Sequence, residues 1–206
     1  SLGQNVESAV YGHLGTANMA AYTLTCPIQS LIVGALSGLS AAAGVMVGKQ
    51  LGKKAYDAAY RDARSIMLTG LVGSACVAAL LTLFAGAYTG LYRVAADVQA
   101  LGQTLLIVFA LYAPVKVENM ILSGGILRSG GKTKLILVID TLGTWGIGVP
   151  LCLLGAYGLH WGIVGVYALL TSEEVFRLAI SLFLFKKRSW MVSLSDKKQA
   201  TPRNGV

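Results

Sequence analysis

The sequence is poor in charge. Only 13% of its 206 residues are Asp, Glu, Lys or Arg, about half the roughly 25% of a soluble domain. An ordinary water-solvated surface is therefore excluded. Cysteine is also scarce: Cys26, Cys76 and Cys152 all lie in apolar segments, and none has the spacing of a zinc ribbon or redox pair. They read as small packing residues. The two histidines, His13 and His160, lack metal-ligand spacing and read as interfacial. GxSxG, HExxH and CxxC patterns are absent, so no nucleophile–base or metal constellation supports an enzyme. The net charge of +8 does not point to nucleic acid, because the basic residues fall in short clusters without interleaved aromatics. No basic stretch precedes an apolar core at the start, so Ser1 does not open a signal peptide. The sequence reads as a fragment whose beginning has been lost.

What the chain does have is long uncharged runs. Hydrophobic residues make up 55% of it, and the mean hydropathy is +0.65. A span needs about 20 apolar residues, and the runs yield six. The first, 1–12, is too short alone and reads as the end of a truncated helix. The others are expected at about 19–47, 65–92, 98–127, 135–157 and 162–185. The expected fold is an all-α integral-membrane bundle over 1–191. A polar tail over 192–206 reads as cytoplasmic and disordered.

Positively charged loops stay on the cytoplasmic side. The segments 48–64, 128–134 and 186–203 hold all of the 17 basic residues except Arg93, Lys116 and Arg177. The alternate connections are nearly free of positive charge. This asymmetry predicts a multi-pass protein of the cell membrane (plasma or inner) with a cytoplasmic C-terminus. Trp161 and Trp190 fall at expected interfaces, where indole rings anchor spans. Glycines at 34, 38, 44 and 48 form a small-residue seam suited to close helix packing. Pro27, Pro114 and Pro150 each remove a backbone donor inside a span, which predicts kinks. Bent helices with freed carbonyls commonly border transporter cavities, although prolines are also ordinary in membrane helices.

Ionisable side chains inside a span cost roughly 2.5–3.5 kcal/mol at the helix centre and are functional candidates by default. Lys116 and Glu118 are separated by about 200° around a helix, so each must find a partner elsewhere. Lys116 shares its face with Tyr112, Asn119 and Met120, a suitable wall for a polar cavity. Glu118 shares a face with Pro114 and Leu122. Asp140 faces Ile136 and Thr144. Glu173 and Glu174 lie four and three residues before Arg177, so one acid is expected to neutralise it and leave the other for an outside partner. The plainer reading is that these charges only pin helices together. The segment GGKTK at 130–134 imitates a phosphate loop, but Ile126 stands where the first glycine must be and no strand precedes it. It is better read as a tight turn facing anionic lipid.

Four stretches resemble the multidrug and toxic compound extrusion (MATE) family. These are GALSGLSAAAGVMVGKQLGKKAYDAAYRDAR (34–64), GGILRSGGKTK (124–134), IDTLGTWGIGVPL (139–151) and SEEVFRLAISLFLFKKRSWM (172–191). The resemblance implies the second six-helix lobe of a twelve-helix transporter, with the N-terminal six helices missing. It also implies efflux of small organic, often cationic, compounds in exchange for sodium ions or protons by alternating access. No other cofactor is implied; membrane lipid and the other half of the chain are the expected partners. The cavity candidates are Tyr112, Lys116, Glu118, Asn119, Asp140, Glu173, Glu174 and Arg177. Glu118, Glu173 or Glu174 would hold the coupling cation or a cationic drug. The competing readings are a flippase for a lipid-linked precursor, needing a wider basic cavity, and a structural membrane half that transports nothing.

Overall fold

The computed structural model describes residues 9–191. The expected polar tail, 192–206, lies outside them. Six helices follow one another among the described residues, and no strand interrupts them. The first, α1, is described over 9–13. It is followed by α2 (Thr16–Gly52), α3 (Tyr56–Gly90), α4 (Ala96–Leu127), α5 (Thr133–Gly158) and α6 (Ile163–Lys186). Helices α2 to α5 are long and apolar enough to cross a membrane. α6 has the length as well, at 24 residues, but carries Glu173, Glu174 and Arg177.

The expected loop at 48–64 is not a loop. α2 runs to Gly52 and α3 starts at Tyr56, so the charged stretch is helical except for a three-residue turn. The alanine-rich sequence AYDAAYRDAR has high helix propensity. The 37 residues of α2 reach roughly 55 Å at 1.5 Å per residue, well beyond a hydrocarbon core of about 30 Å. The basic turns therefore project past the apolar layer, where charge is solvated.

α4 is the axis of the bundle. In its most apolar window 56% of residues are buried, against 11% in α2. Its first half, from Leu105 to Ala113, belongs to an apolar cluster shared with Ala21, Leu81, Ala85, Ile163 and Val166. Its second half, from Val117 to Leu127, belongs to another at the basic end, with Ala43, Val47, Ala63 and Phe185. Outward-facing apolar side chains such as Leu31, Val45, Leu83, Leu111, Leu137 and Phe183 are exposed. Such a surface suits contact with lipid chains.

The helices run continuously through Pro27 and Pro114. The irregular backbone lies elsewhere, in widened turns with i→i+5 hydrogen bonding. One occupies Met120–Leu127 of α4, and two, Leu142–Gly148 and Leu154–Gly158, flank Pro150 in α5. Such turns carry one extra residue and leave carbonyls to be satisfied from outside. Ser40 on α2 donates to the Met120 carbonyl at 2.6 Å. α2 and α4 approach closely at the same contact. A methyl on Gly125 would press against the Ser40 carbonyl and the Ala43 side chain, and Gly44 faces Gly125. The predicted glycine seam is thus half used. Gly44 and Gly48 meet α4 and Ser129, while Gly34 and Gly38 face open space.

Trp190 also departs from its expected place at an interface. It is 1% exposed, whereas Trp161 is 46% exposed. Arg188 adopts a left-handed φ of 54°, which turns the chain back beneath the bundle. Trp190 then stacks on Phe185 at 5.6 Å, and Phe185 on Tyr60 at 4.9 Å. The indole nitrogen donates to the Phe185 carbonyl at 3.1 Å. Gly130 leaves room for the Trp190 carbonyl, since a side chain there would overlap it. The basic end is closed by this stack rather than anchored by a surface ring. Nor are all three cysteines packed inside: Cys152 is buried, Cys26 half-buried and Cys76 exposed.

Candidate functional site

Five of the six intramembrane charges gather on one side of α4, and Glu118 lies on the other. α6 supplies Glu173, Glu174 and Arg177, α5 supplies Asp140 and Thr144, and α4 supplies Lys116 and Asn119. Two cavities meet there. The larger, of about 380 Å³, is bounded by Tyr22, Gln29, Phe109, Tyr167, Thr144 and the charged residues of α6. The smaller, of about 230 Å³, is bounded by Asn119, Met120, Ser123, Gly124, Arg128 and Asp140. Lys116, Glu174 and Arg177 border both.

Two ion pairs organise this region. Arg177 donates to Glu173 at 2.7 Å, one turn earlier on α6. It also donates to the Asp140 carbonyl at 3.1 Å and to the Thr144 hydroxyl, and the Asp140 carboxylate lies 3.9 Å away. This pair is set into glycines of α5. A methyl on Gly148 would overlap the Glu173 carboxylate, and one on Gly143 would crowd the Arg177 guanidinium. The widened turn Leu142–Gly148 therefore supplies the space and one of the acceptors, Thr144.

The second pair joins two helices distant in sequence. Lys116 Nζ lies 3.3 Å from Glu174 Oε1. Asn119 Nδ2 donates to Glu174 Oε2 and to the Glu174 backbone carbonyl, each at 2.7 Å. Asn119 is 6% exposed, so α4 holds Glu174 through an amide that is itself buried. The side chains of Lys116 and Glu174 are 39% and 14% exposed.

Of the expected site residues, Lys116, Asn119, Asp140, Glu173, Glu174 and Arg177 are brought together. Arg177 takes one acid, and the other finds an outside partner, as the spacing predicted. Tyr112 borders neither cavity. Glu118 is correctly assigned to the face opposite Lys116, but that face is not a cavity. It is buried at 6% exposure against α3, where Gly70 has no side chain to displace it, and its Oε1 has no hydrogen-bond partner among the described residues. The aromatic wall of the larger cavity was not legible beforehand. Tyr22 packs on Tyr11 at 4.7 Å and lies 6.2 Å from Tyr167, whose hydroxyl donates to Gln29 at 3.2 Å. These tyrosines come from three helices, and nothing local relates them.

Comparison with known proteins decides the family. The MatE family model matches residues 1–154. The chain belongs to the MatE family. Among relatives of this MatE chain, the probable multidrug resistance protein NorM of Pasteurella multocida is 30% identical over 67% of this chain and 30% of its own length. The uncharacterized transporter YisQ of Bacillus subtilis is 25% identical over 82% of this chain and 37% of its own. Multidrug and toxin extrusion protein 2 of Mus musculus is 26% identical over 74% and 26% respectively. In fold, a MOP superfamily transporter from Pyrococcus furiosus superposes with a TM-score of 0.85 at 19% identity, covering 98% of this chain and 44% of that one. A multidrug resistance MATE transporter in an outward-facing conformation gives 0.79 at 21%, covering 98% and 45%. The MatE chain thus spans less than half the length of these relatives and of these solved chains.

Proposed function

We propose that this chain forms the second six-helix lobe of a secondary active exporter of small organic compounds. In the whole transporter a compound crosses by alternating access between two lobes, in exchange for sodium ions or protons. The observation that carries this reading is the polar, aromatic-walled cavity of about 380 Å³ inside a bundle whose outer surface is apolar. A cluster of five ionisable groups within the spans is costly in a membrane, and a transport pathway is the usual reason to keep one. The multidrug names of several MatE relatives support the same class. The positive-inside pattern supports a cell-membrane protein with its basic ends, C-terminus included, in the cytoplasm.

Glu174 is the acid best placed to meet a charged ligand. Glu118 is turned to α3, and Glu173 is occupied by Arg177. The flippase reading loses support because it needs free cations for a diphosphate. The cations of the larger cavity, Lys116 and Arg177, are each already matched by an acid.

The test is whole-cell ethidium efflux from a strain lacking its own exporters, expressing the full-length protein. Efflux above the empty-vector rate is expected, falling when the sodium gradient or the proton gradient is collapsed. Accumulation equal to the vector control, with the protein present in the membrane, would overturn the proposal and leave a structural role.

A further inference from the structure

We infer that Lys116 is a tethered competitor for Glu174. On this reading the Lys116–Glu174 pair is an exchangeable partition between the two cavities, and a cationic ligand enters by taking the lysine's place. The inference rests on the proposed role of the larger cavity as a ligand site.

Position is the first argument. Lys116 and Glu174 border both cavities, so their contact lies on the boundary between the two spaces. A ligand that reached Glu174 from the larger cavity would meet the ammonium beside it.

The second argument is how each partner is held. The carboxylate is fixed without the lysine. Asn119 donates to Glu174 Oε2 and to its backbone carbonyl, both at 2.7 Å. Lys116 touches only the other oxygen, Oε1, at 3.3 Å, and no further hydrogen bond of its ammonium is formed among the described residues. An ammonium is a compact, strongly hydrated charge on a flexible four-carbon stem. At 39% side-chain exposure it has room to swing away while Glu174 keeps its place. An exposed monodentate pair of this kind is worth little, roughly 0–1 kcal/mol, so a cation of better fit can displace it.

The third argument is the aromatic lining. Phe109, Tyr22 and Tyr167 wall the larger cavity that Glu174 also borders. Ring faces attract positive charge, so an aromatic cation delivered to Glu174 gains contacts that the lysine stem does not make. Lys116 would accordingly set specificity, raising the threshold against weak or small cations and favouring ligands with both charge and apolar bulk.

The experiment measures equilibrium binding to the purified full-length protein in detergent. The probes are tetraphenylphosphonium and tetraphenylborate, which share a shape and differ in sign. Lys116→Met should tighten tetraphenylphosphonium binding by up to about fivefold, the size of one weak ion pair. It should weaken tetraphenylborate. Glu174→Gln should weaken the cation by a similar factor. The deciding measurement is Lys116→Met made in the Glu174→Gln background. Competition predicts a gain there of less than about twofold, because no pair remains to be broken. A gain equal to or larger than in the wild-type background would mean that Lys116 merely repels cations, and would overturn the inference. So would an unchanged or weaker affinity of Lys116→Met. Lys116→Gln stands in if Lys116→Met does not reach the membrane. Binding is read without transport, so a protein that binds in this pattern but exports nothing would sink the proposed function and leave the competitor role standing.

Discussion

Glu173 and Glu174 are neighbours in the chain, but the helix turns their side chains about 100° apart, and the two carboxylates meet different surroundings. Glu173 pairs with Arg177 on its own helix and sits against Gly148, while Arg177 reaches two groups of α5. Glu174 crosses to α4, where a buried amide holds one oxygen and a half-exposed ammonium covers the other. The first pair fills a space built for it and has few ways to move. The second is held firmly on the acid side and loosely on the basic side. Adjacent residues of one type thus form a tight fastening and a looser contact at the edge of a cavity, and the difference comes from what faces them rather than from their own chemistry.

Breaking the fastening should have the largest effect. Arg177→Met leaves Glu173 without its counter-ion, a loss of about 3–5 kcal/mol for a buried pair. Thermal unfolding in detergent should show a much lower midpoint, and adding Glu173→Gln should recover most of it. An unaltered midpoint would show that this pair does not hold α5 to α6. Asn119→Leu should cost less, about 1.5–3 kcal/mol for a bond to a charged group, and should weaken tetraphenylphosphonium binding as Glu174→Gln does. Binding retained in that variant would mean that the amide does not preset the acid. Gly148→Ala places a methyl against the Glu173 carboxylate and should cost roughly 1–3 kcal/mol as overpacking. The same denaturation assay reads it, and a neutral result would show that the widened turn of α5 adapts freely. Lys116→Met should change stability least, by less than about 1 kcal/mol, while shifting ligand affinity. A destabilisation as large as that of Arg177→Met would make the two pairs alike and erase the contrast.

Much of the architecture was legible in the chain. Apolar runs located the helices of the described residues, because lipid forbids unpaired backbone groups and selects continuous apolar segments. The spacing of Glu173, Glu174 and Arg177 also predicted that one acid would serve the arginine and one would look outward. Other features were not readable. The charged segment 48–64 counted as a loop by hydropathy, yet it is helical because α2 and α3 outrun the apolar layer. Trp190 had the composition of an interface anchor, but the left-handed Arg188 and side-chain-free Gly130 let it fold under the bundle. Prolines 27, 114 and 150 marked expected kinks; α2 and α4 stay helical through Pro27 and Pro114, and widened turns flank Pro150. Glu118 carried the same intrinsic cost in a membrane as Lys116, and only packing shows that it faces Gly70.

By itself the sequence determined that this protein spans a membrane, how its helices are strung together, which ends are basic and which ionisable groups lie inside. Those properties follow from the free energy of transferring each segment between water and lipid, a sum over local composition. Which charges pair, which border a cavity and which are sealed away depended on how α4, α5 and α6 pack. Residues about 55 positions apart meet at Glu174. A polar side chain in lipid takes whatever partner the neighbouring helix presents, and that is settled only when the bundle closes.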